Sequence, residues 1–548
     1  MTPKFDRPRL LRELADLLEI RGASAEVKAM RVAGDVAAAA RLHTSDRFIA
    51  SVIADLQADD WSRALQRARA AVPALIRDLL HKEVLKSNEA CQLVRQVGVA
   101  TLADLNLALD EGRIARLGAS ISDRLSAYAD TADTPAIPLA RALDLVNEVT
   151  NEMGLTALIE GEADRITYEP GGDIRRFDPV VSGIVIVARS DDPLASVNLM
   201  ARSVAVSNPL HRSPRRLIFD YRLTEVDVRV PAADEYGTVL FTTTGSRAHH
   251  HEMRTRRGRT SIHAREEQLY AEAGLPWIAP ELREGAGEVE AAGAGLLPNL
   301  IERRHIRGDL HVHSTYSDGR DTMEAMIEAA RDLGYEYVAI TDHSQTAGAS
   351  RTLMPGDIPR QRDEIARLRE RFPAIAILHG VEVDILSNGR LDFDDKILER
   401  FDIVLASLHD HAGHDAARLT KRCLSAILHP LVNVICHPEN RVMGRREGYP
   451  LDFPSVYEAA AETGTALEVD GAPGHLDLEG ARARAAASAG ATLAVDSDCH
   501  RANVLARNMQ LGVGMARRGW VEPRHVLNTR PLAEVRAFVA AKRRRGGW

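Results

Sequence analysis

The chain has 548 residues, 45% hydrophobic and 27% charged, an ordinary globular composition long enough for three or four domains. A formal charge of −8 argues against a strongly basic nucleic-acid-coating protein and leaves room only for local basic patches. No run approaches the roughly 20 apolar residues of a membrane span, and "MTPKFDRPRLLRELADLL" lacks the apolar core of a signal peptide, so no membrane association, a cytoplasmic location and a monomer are expected. Cys91, Cys423, Cys436 and Cys499 show no CxxC spacing, which predicts neither a disulfide framework nor a cysteine zinc site. Lysines are few, and arginine carries nearly all positive charge. Arginine suits bidentate phosphate contacts, although a GC-rich coding bias gives the same skew.

Residues 1–82 and 83–135 are helical in period, as in "LLRELADLLEIRG", where apolar residues recur every three or four positions and a glycine closes the run. Residues 136–275 mix helix ("IPLARALDLVNEVTNEM") with strand ("GIVIVA", "RLTEVDVRVPA"). The Gly-, Ala- and Glu-rich stretch within 276–304 reads as a linker. From 305 to 548, short β-rich runs alternate with helical segments, which predicts a parallel sheet, open or closed into a barrel.

Seven of those runs end in a polar residue able to bind metal: His311, His343, Glu382, His409, His437, Asp470 and Asp498, spaced by 27 to 39 residues. In α/β barrels the C-terminal strand ends build the site, so these residues should converge. In "HVH", His311 and His313 share a strand face; in "DSDCH", Asp498 and His500 do the same while Cys499 points away to pack. Asp318, in "STYSDG", can reach the cluster from the side. This imidazole and carboxylate mixture suits zinc, manganese or iron better than calcium or magnesium.

The motifs "DLHVHSTYSDG", "ITDHS", "GVEVD", "ASLHDH", "ICHPENRVMGRREGY" and "DSDCH" closely resemble the PHP (polymerase and histidinol phosphatase) metal-dependent phosphoesterases. The resemblance implies a distorted (β/α)7 barrel with two or three divalent metals, zinc or manganese with iron as an option. The ligands it implies are His311, His313, Asp318, His343, Glu382, His409, His437, Asp498 and His500, with Glu382 bridging two ions. Asp470 falls where many relatives carry asparagine and stays outside that set. Asp342 and Asp410 are expected to orient ligating imidazoles, and Arg441, Arg445 and Arg446 to clamp phosphate.

The order of the first half resembles bacterial family X DNA polymerases: helical lyase-like domain, helix-hairpin-helix region, then α+β palm and thumb. Those enzymes place three aspartates in the palm; at the matching positions this chain has Gly183, Val185 and only one acid, Asp227. The phosphate-binding Gly-Ser of the family reads Gly172-Asp173. Hairpin glycine pairs are missing from "LHTSDRF", "HKEVLKSNEA" and "LGASISDR", and no lysine lies between Lys28 and Lys82 for a Schiff-base lyase. "TGSRAHH" persists, with Gly245 and Ser246 kept as candidate substrate-binding residues, Gly245 also serving a tight turn, and the triple histidine 249–251 expected to be exposed. Arg254, Arg256, Arg257, Arg259 and Arg265 form the one basic patch suited to a DNA backbone. The leading expectation is therefore a metal-dependent 3′–5′ exonuclease or DNA-end-processing phosphoesterase on an inactive polymerase scaffold. A phosphatase of a small phosphate monoester and an active gap-filling polymerase are the alternatives.

Overall fold

The structure is a computed structural model that describes residues 7–21, 47–58, 61–69, 71–131, 136–157, 166–206, 209–258, 261–409 and 413–547. The chain forms two compact units, one of residues 1–137, 141–176 and 181–294, the other of 138–140, 177–180 and 295–548. No helix among the described residues is long and apolar enough to cross a membrane.

In the first unit, the helices of residues 7–131 bury Leu14, Leu18, Ile76, Leu79, Leu93, Leu105 and Ile114 in one core. A π-helical turn, Leu93–Val97, ends at Gly98 in the left-handed region (φ 78°), and Thr101 then caps the helix Leu102–Asp110. The turn between these two helices lies at Gly98-Val99-Ala100. The segments singled out as candidates include "HKEVLKSNEA", where Glu83 has φ 55°, and "LGASISDR", where Gly118 has φ 111°. Of "LHTSDRF", residues 42–46 lie outside the described residues.

The palm-like sheet consists of β1 (Thr156–Ala157), β2 (Thr167–Pro170), β3 (Ile184–Arg189), β4 (Pro209–Ser213), β5 (Arg216–Tyr221) and β6 (Thr224–Arg229), in the order β1-β2-β3-β6-β5-β4. Strands β3 and β6 run parallel with Val185 beside Asp227. Residues 276–294, read from composition as linker, pack within this unit. Two of their three glycines mark close contact rather than looseness: a Cβ on Gly285 would stand 2.3 Å from Ala248 Cβ, and one on Gly293 2.7 Å from the Arg256 guanidinium.

The second unit is a nearly closed parallel barrel of β7 (Gly308–Val312), β8 (Tyr337–Ile340), β9 (Ala376–Asp384), β10 (Ile403–Ser407), β11 (Val434–Cys436), β12 (Ala466–Asp470) and β13 (Leu493–Asp496), paired in chain order. Every strand is apolar and buried almost throughout, as parallel strands covered by crossover helices must be. Leu310, Tyr337, Leu378, Ile403, Leu405, Val434 and Ala466 pack as one core with Val535 and Val539 of the helix Leu532–Arg545. The seam between β7 and β13 is held by side chains: the buried Asn528 amide donates to Gly308 O and Val495 O and accepts from Val495 N. Above it, His313 N donates to Cys499 O at 3.0 Å, bringing the two metal-motif strand ends together.

Candidate metal centre

The barrel brings all nine expected donors to the C-terminal ends of its strands. Glu382 lies in the middle: its carboxylate is 2.6 Å from His343 Nδ1, 3.1 Å from His437 Nε2, 3.5 Å from His311 Nε2 and 3.6 Å from His313 Nε2. Asp498 Oδ1 is 3.0 Å from His313 Nε2, and Asp318 Oδ1 is 3.2 Å from His500 Nε2 and 3.6 Å from His343 Nε2. The rings of His343 and His500 both stack on that of His313, with centroids 4.4 and 4.3 Å away, and lie 6.2 Å from each other. His409 stands further out, its ring 5.3 Å from that of His437. Donor atoms of His313, Asp318, His343 and His500 lie within 4.8 Å of one another, as do those of His311, His313 and Glu382.

These residues fit divalent cations. Glu382 Oε2 meets His343 Nδ1 at 2.6 Å and Asp318 Oδ1 meets His500 Nε2 at 3.2 Å, but these approaches are not aligned as hydrogen bonds, so Asp318 Oδ1, Glu382 Oε2 and His343 Nδ1, like His437 Nδ1, are buried without one among the described residues. Orphaned polar atoms are costly in an apolar interior, and several converging on one point match a cation's inner shell. Burial would raise the Glu382 carboxyl, but the imidazoles of His343, His311 and His437 hold it well below the usual range. Burial likewise opposes charge on His343 and His437, yet Glu382 raises both to about 9. His313 is pushed down to about 3 by burial and by His500 and His343.

Two supporting carboxylates were not singled out from the sequence. Glu468 Oε1 lies 2.7 Å from His311 Nδ1, and its Oε2 accepts from His437 N at 2.8 Å. Asp384 Oδ1 lies 2.9 Å from His409 Nδ1. Each fixes one ring nitrogen as the proton carrier and turns the other, with its lone pair, toward the centre. The signal was present as the i, i+2 acids of "GVEVD" and "ALEVD". Asp470 accepts from Ala472 N at 2.5 Å and belongs to none of the donor groups found among the described residues.

Asp342 was expected to orient an imidazole. Instead it accepts from Ser314 N (2.8 Å) and Oγ (2.7 Å), Ser317 N (3.1 Å) and Oγ (2.6 Å), and Gln361 Nε2 (2.7 Å). As the neighbour of His343 it faces the other way and pins the loop that carries Asp318. Asp410 lies outside the described residues. Arg441 donates to His475 O at 2.9 Å and to Leu476 O and faces Glu479, so its guanidinium holds the loop 475–479. Arg446 donates to Asn440 O and Oδ1, and Arg445 is exposed.

The family model described as "PHP domain" matches residues 309–440. The "DNA polymerase/3'-5' exonuclease PolX" of Bacillus subtilis (strain 168) is 31% identical over 98% of this chain and 99% of that protein. The chain belongs to the PolX family. A "Probable phosphatase" of Thermoanaerobacter sp. (strain X514) is 30% identical over 44% of this PolX chain and 96% of its own. The crystal structure of a histidinol phosphate phosphatase from Lactococcus lactis, complexed with zinc, L-histidinol and phosphate, aligns with 39% of this chain and 94% of its own at 18% identity and a TM-score of 0.32.

In the first unit of this PolX chain the remaining palm acid is already occupied. Arg216 Nε and Arg229 Nε donate to Asp227 at 2.8 and 2.9 Å, and each guanidinium also donates to Asp104 of the helix Leu102–Asp110 at 2.7 Å. The two arginines hold both carboxyls below their usual range against the opposing effect of burial. Asp227 lines a cleft of about 1580 Å³, where acids such as Glu13, Asp16, Asp78, Asp110, Asp220 and Glu225 outnumber Arg69, Arg77, Arg176 and Arg247. Arg176, also on its lining, donates to Asp173 and Glu284 at 2.7 Å each.

The "TGSRAHH" stretch differs from expectation. Gly245 has φ −66°, so no left-handed turn requires it; instead a Cβ there would stand 2.9 Å from both the His249 and His250 rings. Ser246 caps the helix Arg247–Arg257 by accepting from His249 N at 3.1 Å. Of the triple histidine, His249 and His250 are buried and His251 alone is exposed, because helical geometry turns the first two toward Phe241 and Tyr270. His249 is bound between Glu288 (2.7 Å) and the Tyr270 hydroxyl (3.0 Å). Within the basic patch, Arg254 faces Asp110 at 3.6 Å, Arg256 donates to Ala273 O at 3.3 Å, and Arg265 is exposed. The Arg257 side chain and Arg259 lie outside the described residues.

Proposed function

We propose that the barrel is a metal-dependent phosphoesterase that shortens DNA from its 3′ end in the cytoplasm, and that the first unit does not polymerise. The observation that carries the reading is the gathering of His311, His313, Asp318, His343, Glu382, His409, His437, Asp498 and His500 at one end of the barrel, four of the imidazoles within 3.6 Å of the Glu382 carboxylate. These residues would hold about two or three divalent ions, zinc or manganese, with iron served by the same donors. Such ions, when bound, lower the pKa of a water and offset charge on the leaving oxygen of a phosphate ester.

The chain's own groups supply position and charge. Glu468 and Asp384 set the tautomers of His311 and His409, and Asp342 fixes the loop bearing Asp318. With Arg441 and Arg446 donating to backbone oxygens, the exposed Arg445 is the guanidinium of the 441–446 loop assigned to substrate phosphate. No side-chain nucleophile is needed. DNA as substrate is supported by the 31% identity, over 99% of its length, with the Bacillus subtilis relative described as a DNA polymerase/3'-5' exonuclease. The occupied Asp227 supports a silent palm.

A second reading, a small phosphate monoester as substrate, is favoured by the acidic lining of the first-unit cleft, which repels a nucleic-acid backbone. Comparing turnover of a 3′-labelled oligonucleotide with that of an amino-alcohol phosphate separates the two. Preference for the oligonucleotide is expected; hydrolysis of the monoester alone would overturn the DNA reading.

A further inference from the structure

The spacing of the cysteines gives no reason to place one at the metal centre, yet the barrel does so. Cys436 ends β11, paired in register with Ser407 of β10, and packs inside the barrel with Leu405, Val434 and Ala466. It is fully buried and a free thiol. Its Sγ lies within 4.8 Å of donor atoms of Glu382 and His437, and within the same distance of donor atoms of His311 and Glu468. In the Glu382–Cys436–His437 group, Glu382 Oε2 and His437 Nδ1 are the buried atoms that make no hydrogen bond among the described residues. A sulfur donor thus stands beside a buried carboxylate and a buried imidazole of the centre.

Building on the metal-centre reading above, we propose that Cys436 Sγ ligates one ion of the centre together with Glu382 and His437. Binding forms a sulfur–metal bond, releases the thiol proton to solvent and displaces one water from the ion. A thiolate prefers zinc to manganese, so Cys436 would make this position zinc-selective within a cluster whose other donors are nitrogen and oxygen.

Cobalt(II) is the probe. The full chain, stripped with a chelator and titrated with cobalt, should show visible ligand-field bands and a near-ultraviolet sulfur-to-cobalt charge-transfer band. That band should vanish in Cys436→Ser and persist in Cys499→Ser, whose thiol bonds to Arg501 O. Ligand-field bands without charge transfer would overturn the thiolate proposal and leave the metal centre standing. Failure of the parent chain to bind cobalt would overturn both. X-ray absorption of the zinc-loaded parent needs no variant: a sulfur shell at about 2.3 Å is expected, and a shell of nitrogen and oxygen alone at about 2.0–2.1 Å would refute it.

Discussion

Glu468→Gln tests how the protein prepares its imidazoles. Glu468 is fully buried and serves two donors, His311 Nδ1 at 2.7 Å and His437 N at 2.8 Å. A glutamine has one oxygen for these two tasks. Either its amide N–H meets the His311 N–H, forcing the imidazole to carry its proton on the nitrogen that faces the centre, or the His437 backbone N–H loses its acceptor. Loss of such an outer partner costs about 10- to 100-fold in metal affinity, or ~1.4–2.7 kcal/mol. Competition against a chromophoric chelator measures this on the full chain, with circular dichroism to confirm folding. Undiminished affinity in a folded Glu468→Gln protein would refute the claim that this carboxylate sets the His311 tautomer.

Other consequences follow from the first unit. Arg216→Met leaves the buried Asp104 and Asp227 with one guanidinium between them and should destabilise this unit by about 3–5 kcal/mol, read from urea unfolding; an unchanged midpoint would show that the quartet contributes nothing. Gly183→Asp with Val185→Asp should still give no primer extension, because Arg216 and Arg229 hold both oxygens of Asp227; extension with magnesium or manganese would contradict this. Glu266, which burial alone would raise, is held at about 2 by Arg283 and Arg175. A depressed folded pKa contributes stability that is complete above the unfolded value near 4.5 and is lost as pH falls toward 2, here ~3 kcal/mol. Glu266→Gln should therefore flatten the acid limb of the stability profile, and an equally steep limb would contradict the assignment.

The metal donors were legible because their signal is local: residues two apart share a strand face, and parallel strands deliver their ends to one rim. The parallel sheet was legible in the alternation of apolar runs and helical segments, while its closure toward a barrel rested on the family resemblance. What stayed hidden depends on register and distant partners. "ALEVD" offers two acids on one face, and only the seating of β12 makes Glu468, rather than Asp470, the partner of His311. Arg441 reads as a free cation until the loop 475–479 closes on it. The glycines at 285 and 293 read as linker, because composition does not distinguish freedom from close contact. "AHHH" reads as a polar surface run, whereas its helix turns His249 into a buried site between Glu288 and Tyr270.

The central claim is tested most directly by elemental analysis of the purified chain, followed on the same sample by incubation with 3′-labelled single-stranded DNA and manganese. About two or three ions per chain are expected, with stepwise shortening that disappears in His311→Ala. A metal-replete protein that leaves the DNA intact, or a chain that retains no ion after zinc and manganese are supplied, would contradict the account.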